Sequence, residues 1–406
     1  MKTLSPATKT TRLDELGFVS RGRSRHRPRN DAALYGGEYP FFQTGDIKAA
    51  NLYLTEYTQT YSEAGLAQSK MWDKGTLCIT IAANIAETAI LGIPGCFPDS
   101  VVGFVPDADK ADVRFIKYYI DILKLGMQSI SRGTTQDNMS VEKLMSFDFD
   151  VPDLATQRKI AGILSAYDDL IENNLRRIKI LEQMAQSLYR EWFVHFRFPG
   201  HESVRFTDSS LGQIPKGWIV KKLAEIAGVN AESIRATNAP EEIHYIDIAS
   251  VSTGSIDNIE AMSFKSAPSR ARRLVRHGDI IWSTVRPNRR SFSLIIDPAE
   301  ELIVSTGFAV LSARSVPWSY LYQATTTEDF TSYLVNHASG AAYPAVNSGI
   351  FENADVIVPP SDLLTRFNAM AEANQVLQHK LHRRNLTLRR TRDLLLPKLL
   401  LAQVEK

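Results

Sequence analysis

Only two cysteines, Cys78 and Cys96, occur in 406 residues. They lie in apolar or turn-like stretches without the spacing of a metal knuckle, which excludes a zinc scaffold and a disulfide framework. Free thiols in a reducing cytoplasm are expected. No apolar run approaches the roughly 20 residues of a membrane span. The opening residues, MKTLSPATKTTRLDELGF, lack the apolar core of a signal peptide, so neither membrane nor export is expected. An excess of one charge is also missing: 47 Lys and Arg against 45 Asp and Glu leave +2. An anionic partner must therefore be met by local basic patches.

Catalytic signatures are scarce as well. No G-x-x-x-x-G-K-[ST] loop is present, which argues against a nucleotide-driven motor. No Asn-Pro-Pro-aromatic element is present, as an amino-methyltransferase acting on a flipped base would carry. Asp46-Ile47-Lys48 resembles half of a nuclease's acid-plus-lysine set, but no second carboxylate is identifiable, and a surface turn after a strand is expected. His379 and His382 share a helical face without a third ligand and are read as solvated polar residues. No catalytic or metal-binding residue is assigned.

What the chain does have is repetition. Laying residues 133–193 over 340–400 pairs Gly133 with Gly340, Asp148 with Asp355, Val151-Pro152 with Val358-Pro359, Arg176-Arg177 with Arg383-Arg384, Leu181 with Leu388 and Leu188 with Leu395. Upstream, the β-rich runs 39–47, 75–81 and 100–105 and the helical run 112–125 are echoed by 242–248, 278–284, 305–310 and 320–335. The expected fold is α/β (α+β) globular domains in duplicate, each followed by a long helix. The expected divisions are 1–150, a spacer helix 151–198, a second globular domain 199–358, and a second spacer helix 359–406.

From Thr156 to about Phe196, apolar residues recur at alternating steps of three and four: Ile160, Leu164, Tyr167, Ile171, Ile178, Leu181, Ala185, Leu188 and Trp192, with Asn174 the polar intruder. This is a coiled-coil seam. Asp168, Asp169, Glu172, Arg176, Arg177 and Lys179 are expected off it, in solvent. Pro199-Gly200 is the stop signal. The second helix carries Phe367, Met370, Leu377, Leu381, Leu388 and Leu395 with Asn374 on the stripe, and Pro397 is expected to end or kink it. Two matched stripes suggest that the helices pack on each other, antiparallel and with a pseudo-two-fold. A rod of about 40 residues spans ~60 Å, or ~17 base pairs of B-DNA at about 3.4 Å each. Each stripe packed on its own domain is the plainer alternative.

Basic patches are the other positive signal. Residues 20–30 hold Arg21, Arg23, Arg25, Arg27 and Arg29 with no acid, and read as a flexible arm or loop. Residues 269–290 hold Arg270, Arg272, Arg273, Arg276, Arg286, Arg289 and Arg290 against one acid, Asp279. Arginine forks suit phosphates and guanine edges, and Asn288 can pair with adenine. Lys48, the loop with Arg132, Thr134 and Gln136, and its echo ending in Tyr343 complete the candidate DNA contacts.

With these residues in place, the chain resembles the specificity subunits of type I restriction–modification systems. The resemblance rests on residues 151–160 (VPDLATQRKI), Leu181-Glu-Gln-Met, Leu188-Tyr-Arg-Glu-Trp-Phe193, Gly133-Thr-Thr-Gln136, Pro215-Lys-Gly-Trp218 and residues 392–400 (RDLLLPKLL). The second copy departs from it, with Gly340-Ala-Ala-Tyr343 and no counterpart of Gln157. The resemblance implies a non-catalytic subunit whose two target-recognition domains each read half of an asymmetric split site in double-stranded DNA. It implies that the helices set the gap and dock two methyltransferase subunits, with motor-nuclease subunits added for cleavage. S-adenosylmethionine, ATP and magnesium would belong to those partners, with no cofactor in this chain. A self-contained modification or cleavage enzyme, and a coiled-coil scaffold without a DNA role, are the alternatives.

Overall fold

The structure, a computed structural model, describes residues 8–82, 85–130 and 140–400. Two compact units emerge: Met1–Leu175 with Arg383–Lys406, and Arg176–His382. Each long helix is therefore divided between units rather than forming a segment of its own.

Within the first unit a five-stranded sheet runs in the order Gly17–Arg21, Val101–Pro106, Leu77–Thr80, Thr88–Leu91, Tyr53–Leu54. A four-stranded sheet runs Gln59–Tyr61, Tyr35–Phe41, Gly95–Cys96, Met71–Trp72. The second unit repeats the four-stranded order and the first four strands of the five-stranded one. One of its sheets runs Ala227–Val229, Phe308–Ala313, Ile280–Ser283, Phe292–Leu294; the other runs Glu260–Ser263, Glu242–Ile246, Leu302–Ser305, Ala271–Leu274. Even the parallel pairing recurs, Phe41 beside Cys96 in one and His244 beside Leu302 in the other. Leu77–Thr80 and Ile280–Ser283 are central strands with every residue buried, which is why they read as unbroken apolar runs. Cys78 and Cys96 are buried free thiols, and burial pushes both thiol pKa values up.

Three expected elements are cut differently. The strand of residues 39–47 stops at Phe41, because Thr44–Ala49 is a helix whose Asp46 carboxylate accepts the Gln43 N–H at 2.8 Å. Lys48 is thus an exposed helical residue. The run 305–310 straddles two sheets: Ser305 Oγ accepts the Gly307 N–H and turns the chain between Leu302–Ser305 and Phe308–Ala313. The single helix expected at 320–335 is two, Trp318–Thr325 and Glu328–Asn336, because Thr327 Oγ1 caps the second through the Phe330 N–H.

The central helix runs Leu154–Tyr189 and ends in a π-helical turn, Arg190–Val194. Asp153 opens it by accepting the Thr156 N–H at 3.0 Å. Gln157, 1% exposed, is saturated there: Nε2 donates to the Lys110 and Pro152 carbonyls and Oε1 accepts the Asp112 N–H. Leu364 is its counterpart in the second copy and meets the same burial with an apolar side chain. The C-terminal helix runs Ser361–Leu400, and Pro397 lies inside it rather than ending it. The fixed φ of proline is compatible with a helix; what it forfeits is one backbone donor.

In the first unit, Ile160, Ala161 and Leu164 share a core with Leu396 and Leu400. In the second, Leu364, Phe367 and Ala371 share one with Trp192 and Phe193, where the Phe193 ring lies 5.0 Å from those of Tyr320 and Phe367. The repeat offset of the sequence maps Ile160 onto Phe367, Leu164 onto Ala371 and Phe193 onto Leu400. Each core thus takes the start of one long helix and the end of the other.

Along the stripes, Ile160, Leu164, Ile171, Asn174, Ile178, Ala185, Trp192, Phe367 and Leu381 are buried. Tyr167, Leu181, Leu188, Asn374, Leu388 and Leu395 are half-buried. Two corrections follow. Leu377 and Met370 are 36% and 41% exposed, while Ala371, Gln375 and Asn385 take the buried positions. Asp168, expected in solvent, is 0% exposed. Its carboxylate accepts the Tyr118 hydroxyl at 2.5 Å and the Arg392 guanidinium, and Asn51 Nδ2 lies 3.5 Å away. Burial, reinforced by Asp168, raises the Tyr118 pKa. Burial opposes charge on Arg392, but the carboxylates of Asp168 and Asp393 outweigh it and raise its pKa. One turn and a half further on, Asn174 Nδ2 donates to Asn385 Oδ1 at 2.8 Å. Among the described residues no helix is long and apolar enough to cross a membrane.

Candidate nucleic-acid interface

The second unit brings together candidates that are distant in sequence. Ile280–Ser283 delivers the chain to a loop at 284–290, and a bridge between Val285 and Ala345 zips that loop to residues 339–346. The Arg286 N–H donates to Pro344 O at 2.7 Å, and the Val346 N–H donates to Thr284 O at 2.9 Å. Pro287–Arg289 forms a single 3-10 turn, flanked by Arg286 and Arg290 in the left-handed region at φ +52° and +54°. Two such residues in five are costly for side chains with a Cβ and are held by the surrounding bonds. The Arg286 guanidinium lies over the Tyr343 ring, 4.5 Å from its centre. Tyr343 itself is 67% exposed, and Asn288 and Arg289 are exposed on the same rim.

Most of the other arginines have partners within the protein. Arg290 donates to Thr326 O at 2.8 Å and lies over Phe292. Arg272 donates to Ala271 O at 2.7 Å and lies over Phe264. Arg276 pairs with Glu232, and Arg273 is half-buried with its Nη1 on Ser233. Arg270 is exposed, with Nε on the Tyr245 hydroxyl at 3.2 Å and a guanidinium nitrogen 3.7 Å from Asp247. Its backbone keeps it near the 284–290 loop: Arg270 O accepts the Thr306 N–H, and Gly307 O accepts the Thr284 N–H. Arg272 and Arg290 thus each have both a backbone carbonyl and an aromatic ring of the protein as partners. Their partners lie in other segments or in local turns that composition does not reveal.

In the first unit the arginine run is not a loose arm. Gly22 N–H donates to Val101 O at 2.8 Å, Arg23 N–H to Phe97 O at 3.1 Å, and the Arg25 and His26 N–H groups to Gln68 Oε1. The segment is extended, so Gly22 and Ser24 face inward while Arg21, Arg23, Arg25 and Arg27 point out. Arg27 folds back on the Ser24 and His26 carbonyls, and Arg29 forms a two-pronged pair with Asp99. Lys70, missed in the sequence, sits 3.6 Å over the Trp72 ring and 4.8 Å over Phe18, which is itself 57% exposed. Burial, and then Arg23, lower the Lys70 pKa. Arg132, Thr134 and Gln136 lie outside the described residues, as does Asn84. Among the described residues no cluster of three or more metal-ligating side chains occurs.

Comparison with known proteins agrees with this organisation. Residues 8–183 match the family model of the type I restriction modification DNA specificity domain. The specificity subunit of type I restriction enzyme MjaIX from Methanocaldococcus jannaschii is 24% identical, over 97% of this chain and 92% of its own length. The HindI specificity subunit from Haemophilus influenzae is 23% identical, over 68% of this chain and 72% of its own. The crystal structure of a type I restriction–modification S subunit from M. genitalium has the same fold, with a TM-score of 0.62 at 15% identity and 98% coverage of both chains. The duplicated fold, the match of residues 8–183 and a relative aligned along nearly the whole length agree: this chain carries a match to the type I restriction modification DNA specificity domain in its first half and is similar along its length to the specificity subunits of type I restriction–modification systems.

Proposed function

We propose that the chain reads a bipartite, asymmetric double-stranded DNA site with two recognition domains and docks two methyltransferase subunits along its long helices. One observation carries this reading: a single topology occurs twice, with unlike loop chemistry at the same position. The loop between Ile280–Ser283 and Phe292–Leu294 carries Arg286, Asn288 and Arg289, while its counterpart after Leu77–Thr80 has no basic residue. Two reading heads of one design and different chemistry suit two different half-sites.

The helices supply the spacer in this proposal, paired as an antiparallel coiled coil. Support comes from each unit separately. Asp168 meets Arg392 and Asn174 meets Asn385 in the first, and the Trp192 ring lies 6.2 Å from that of Phe367 in the second. Numbers fall on one helix as they rise on the other, as antiparallel pairing requires. Docking is supported by matched exposed apolar pairs. Ile163 and Leu170 on the central helix and Met370 and Leu377 on the C-terminal helix occupy the same repeat positions and are all at least 36% exposed. One such patch per unit fits two copies of one partner. Chemistry, with its S-adenosylmethionine, ATP and magnesium, is assigned to the methyltransferase and motor-nuclease subunits.

The test is to map methylated positions in a genome carrying this gene with its partners. A two-part motif is expected, and inserting one heptad near Arg176 together with one in the facing helix should lengthen its gap without changing either half. Methylation without sequence preference, or turnover by this polypeptide alone, would sink the proposal. Replacing Ile163 and Leu170 by serine should weaken methyltransferase binding while leaving the melting temperature unchanged.

A further inference from the structure

The sequence offers seven arginines between 269 and 290 as equals, and the structure separates them. Five are held by protein partners: Arg270 by Tyr245 and Asp247, Arg272 by Ala271 and Phe264, Arg273 by Ser233, Arg276 by Glu232, and Arg290 by Thr326 and Phe292. Two remain. Among the described residues, Arg289 is exposed and its side chain makes no hydrogen bond or ion pair, and Arg286 has only the Tyr343 ring and a 3.5 Å approach to Ala342 O.

These two differ in how far they are fixed before any ligand arrives. Arg289 is a long chain free to sample rotamers, as suits a backbone phosphate. Arg286 has a left-handed backbone, a bonded N–H and a guanidinium carbon 4.5 Å from the centre of an exposed aromatic ring. A planar fork restricted by its backbone and a ring contact loses less entropy on forming two parallel hydrogen bonds than a free one, and its geometric match in the major groove is the O6/N7 edge of guanine. We infer that Arg286 is the guanine-reading residue of the second recognition domain, that Tyr343 positions it, and that Arg289 contacts phosphate. The inference rests on the DNA-reading role proposed above and assigns the base class to one unit only. The first copy has Ile81-Ala82-Ala83-Asn84-Ile85-Ala86 at the corresponding place, without an arginine.

Equilibrium selection from random duplexes by the full chain with its methyltransferase subunits tests it. The unsubstituted protein should demand a G·C pair at one position of one half-site. Arg286→Ala should relax that position alone by roughly 5- to 150-fold, which at about 1.4 kcal/mol per tenfold corresponds to about 1–3 kcal/mol. The slope of log affinity against log salt should stay the same. Tyr343→Ala should blur the same position and Tyr343→Phe should retain it; equal melting temperatures establish that the fold persists. Arg289→Ala should weaken all sequences alike and lower the slope by about 1. If Arg286→Ala instead weakens all sequences with a lower slope, or leaves the preference intact, the assignment is overturned while DNA reading stands. An unsubstituted protein that selects no sequence would overturn both.

Discussion

Removing Arg392 should be far more damaging than its position near the end of the chain suggests. Asp168 is fully buried, and Arg392, 17% exposed at its side chain, is its counter-ion. Arg392→Met would leave a carboxylate in the core with the Tyr118 hydroxyl at 2.5 Å and Asn51 Nδ2 at 3.5 Å. Those neutral donors do not replace a charge, so a cost of about 3–5 kcal/mol is expected, the size found when one member of a buried pair is deleted. Removing both charges, Asp168→Leu with Arg392→Met, should cost less, about 1–3 kcal/mol, because the unmet group is then only the buried Tyr118 hydroxyl. Adding Tyr118→Phe should bring stability close to the starting value. The ordering single, double, triple is the signature, and a double-mutant cycle isolates the coupling. Urea unfolding followed in the unit of residues 1–175 and 383–406 is the assay. If Arg392→Met costs under 1 kcal/mol, the value for exposed pairs, the pair is not buried in solution and the reasoning fails.

Asn174 on an apolar stripe suggests that Asn174→Leu would stabilise the helices; its bond to buried Asn385 reverses the sign. The single change should destabilise by about 1–3 kcal/mol through the orphaned amide, and Asn174→Leu with Asn385→Leu should recover most of it in the same unfolding assay. Gly22→Ala should loosen the arginine run, because a Cβ there would overlap the Phe97 and Pro98 carbonyl oxygens. A loss of about 1–3 kcal/mol together with weaker DNA binding is expected, against no change if the segment is a free arm. Asp279 is 6% exposed and burial raises its pKa above the usual carboxylate value, although the Arg276 N–H bonds to it at 2.8 Å. A raised folded-state pKa means stability that is present below about pH 4 and lost as pH rises through the folded value. Asp279→Asn should therefore flatten the decline in second-unit stability from about pH 4 toward neutrality. A steeper decline in the variant would refute the sign.

How much was legible in the sequence depended on whether the signal was periodic. Helix Leu154–Tyr189 announces itself because burial repeats with the backbone, and strands Leu77–Thr80 and Ile280–Ser283 because burial on both faces leaves an unbroken run between turn formers. The boundaries that slipped, at Phe41, at Gly307 and at Thr327, are each set by one side-chain-to-backbone bond, from Asp46, Ser305 and Thr327. Such bonds compete with the pattern without leaving a trace in it. Asp168 was missed for a related reason. A lone acid on a helix reads as solvated, and its partner is 224 residues away. Among the arginines, composition located the patch, but which guanidinium groups are occupied depends on Thr326 or Glu232, residues from other elements.

The same contacts show where the repeat stops being a repeat. The offset that superimposes the copies maps Asp168 onto Gln375, Arg392 onto Ala185, Asn174 onto Leu381 and Asn385 onto Ile178. The first unit therefore buries a charge pair and an amide pair where the second buries Gln375, Ala185, Leu381 and Ile178. Had the central helix to face a copy of itself in the same register, Asp168 would stand against Ala185 and Asn174 against Ile178. A buried carboxylate without a counter-ion and an amide without a partner would result. Pairing each helix with the other kind satisfies both. Gln375 is the residue left over: buried, with neither its Oε1 nor its Nε2 bonded, it marks the second unit as the place where the helical face is less well satisfied. Two halves alike in fold are thus made unlike at their buried polar positions, and that difference, rather than the shared stripe, distinguishes one helix from the other.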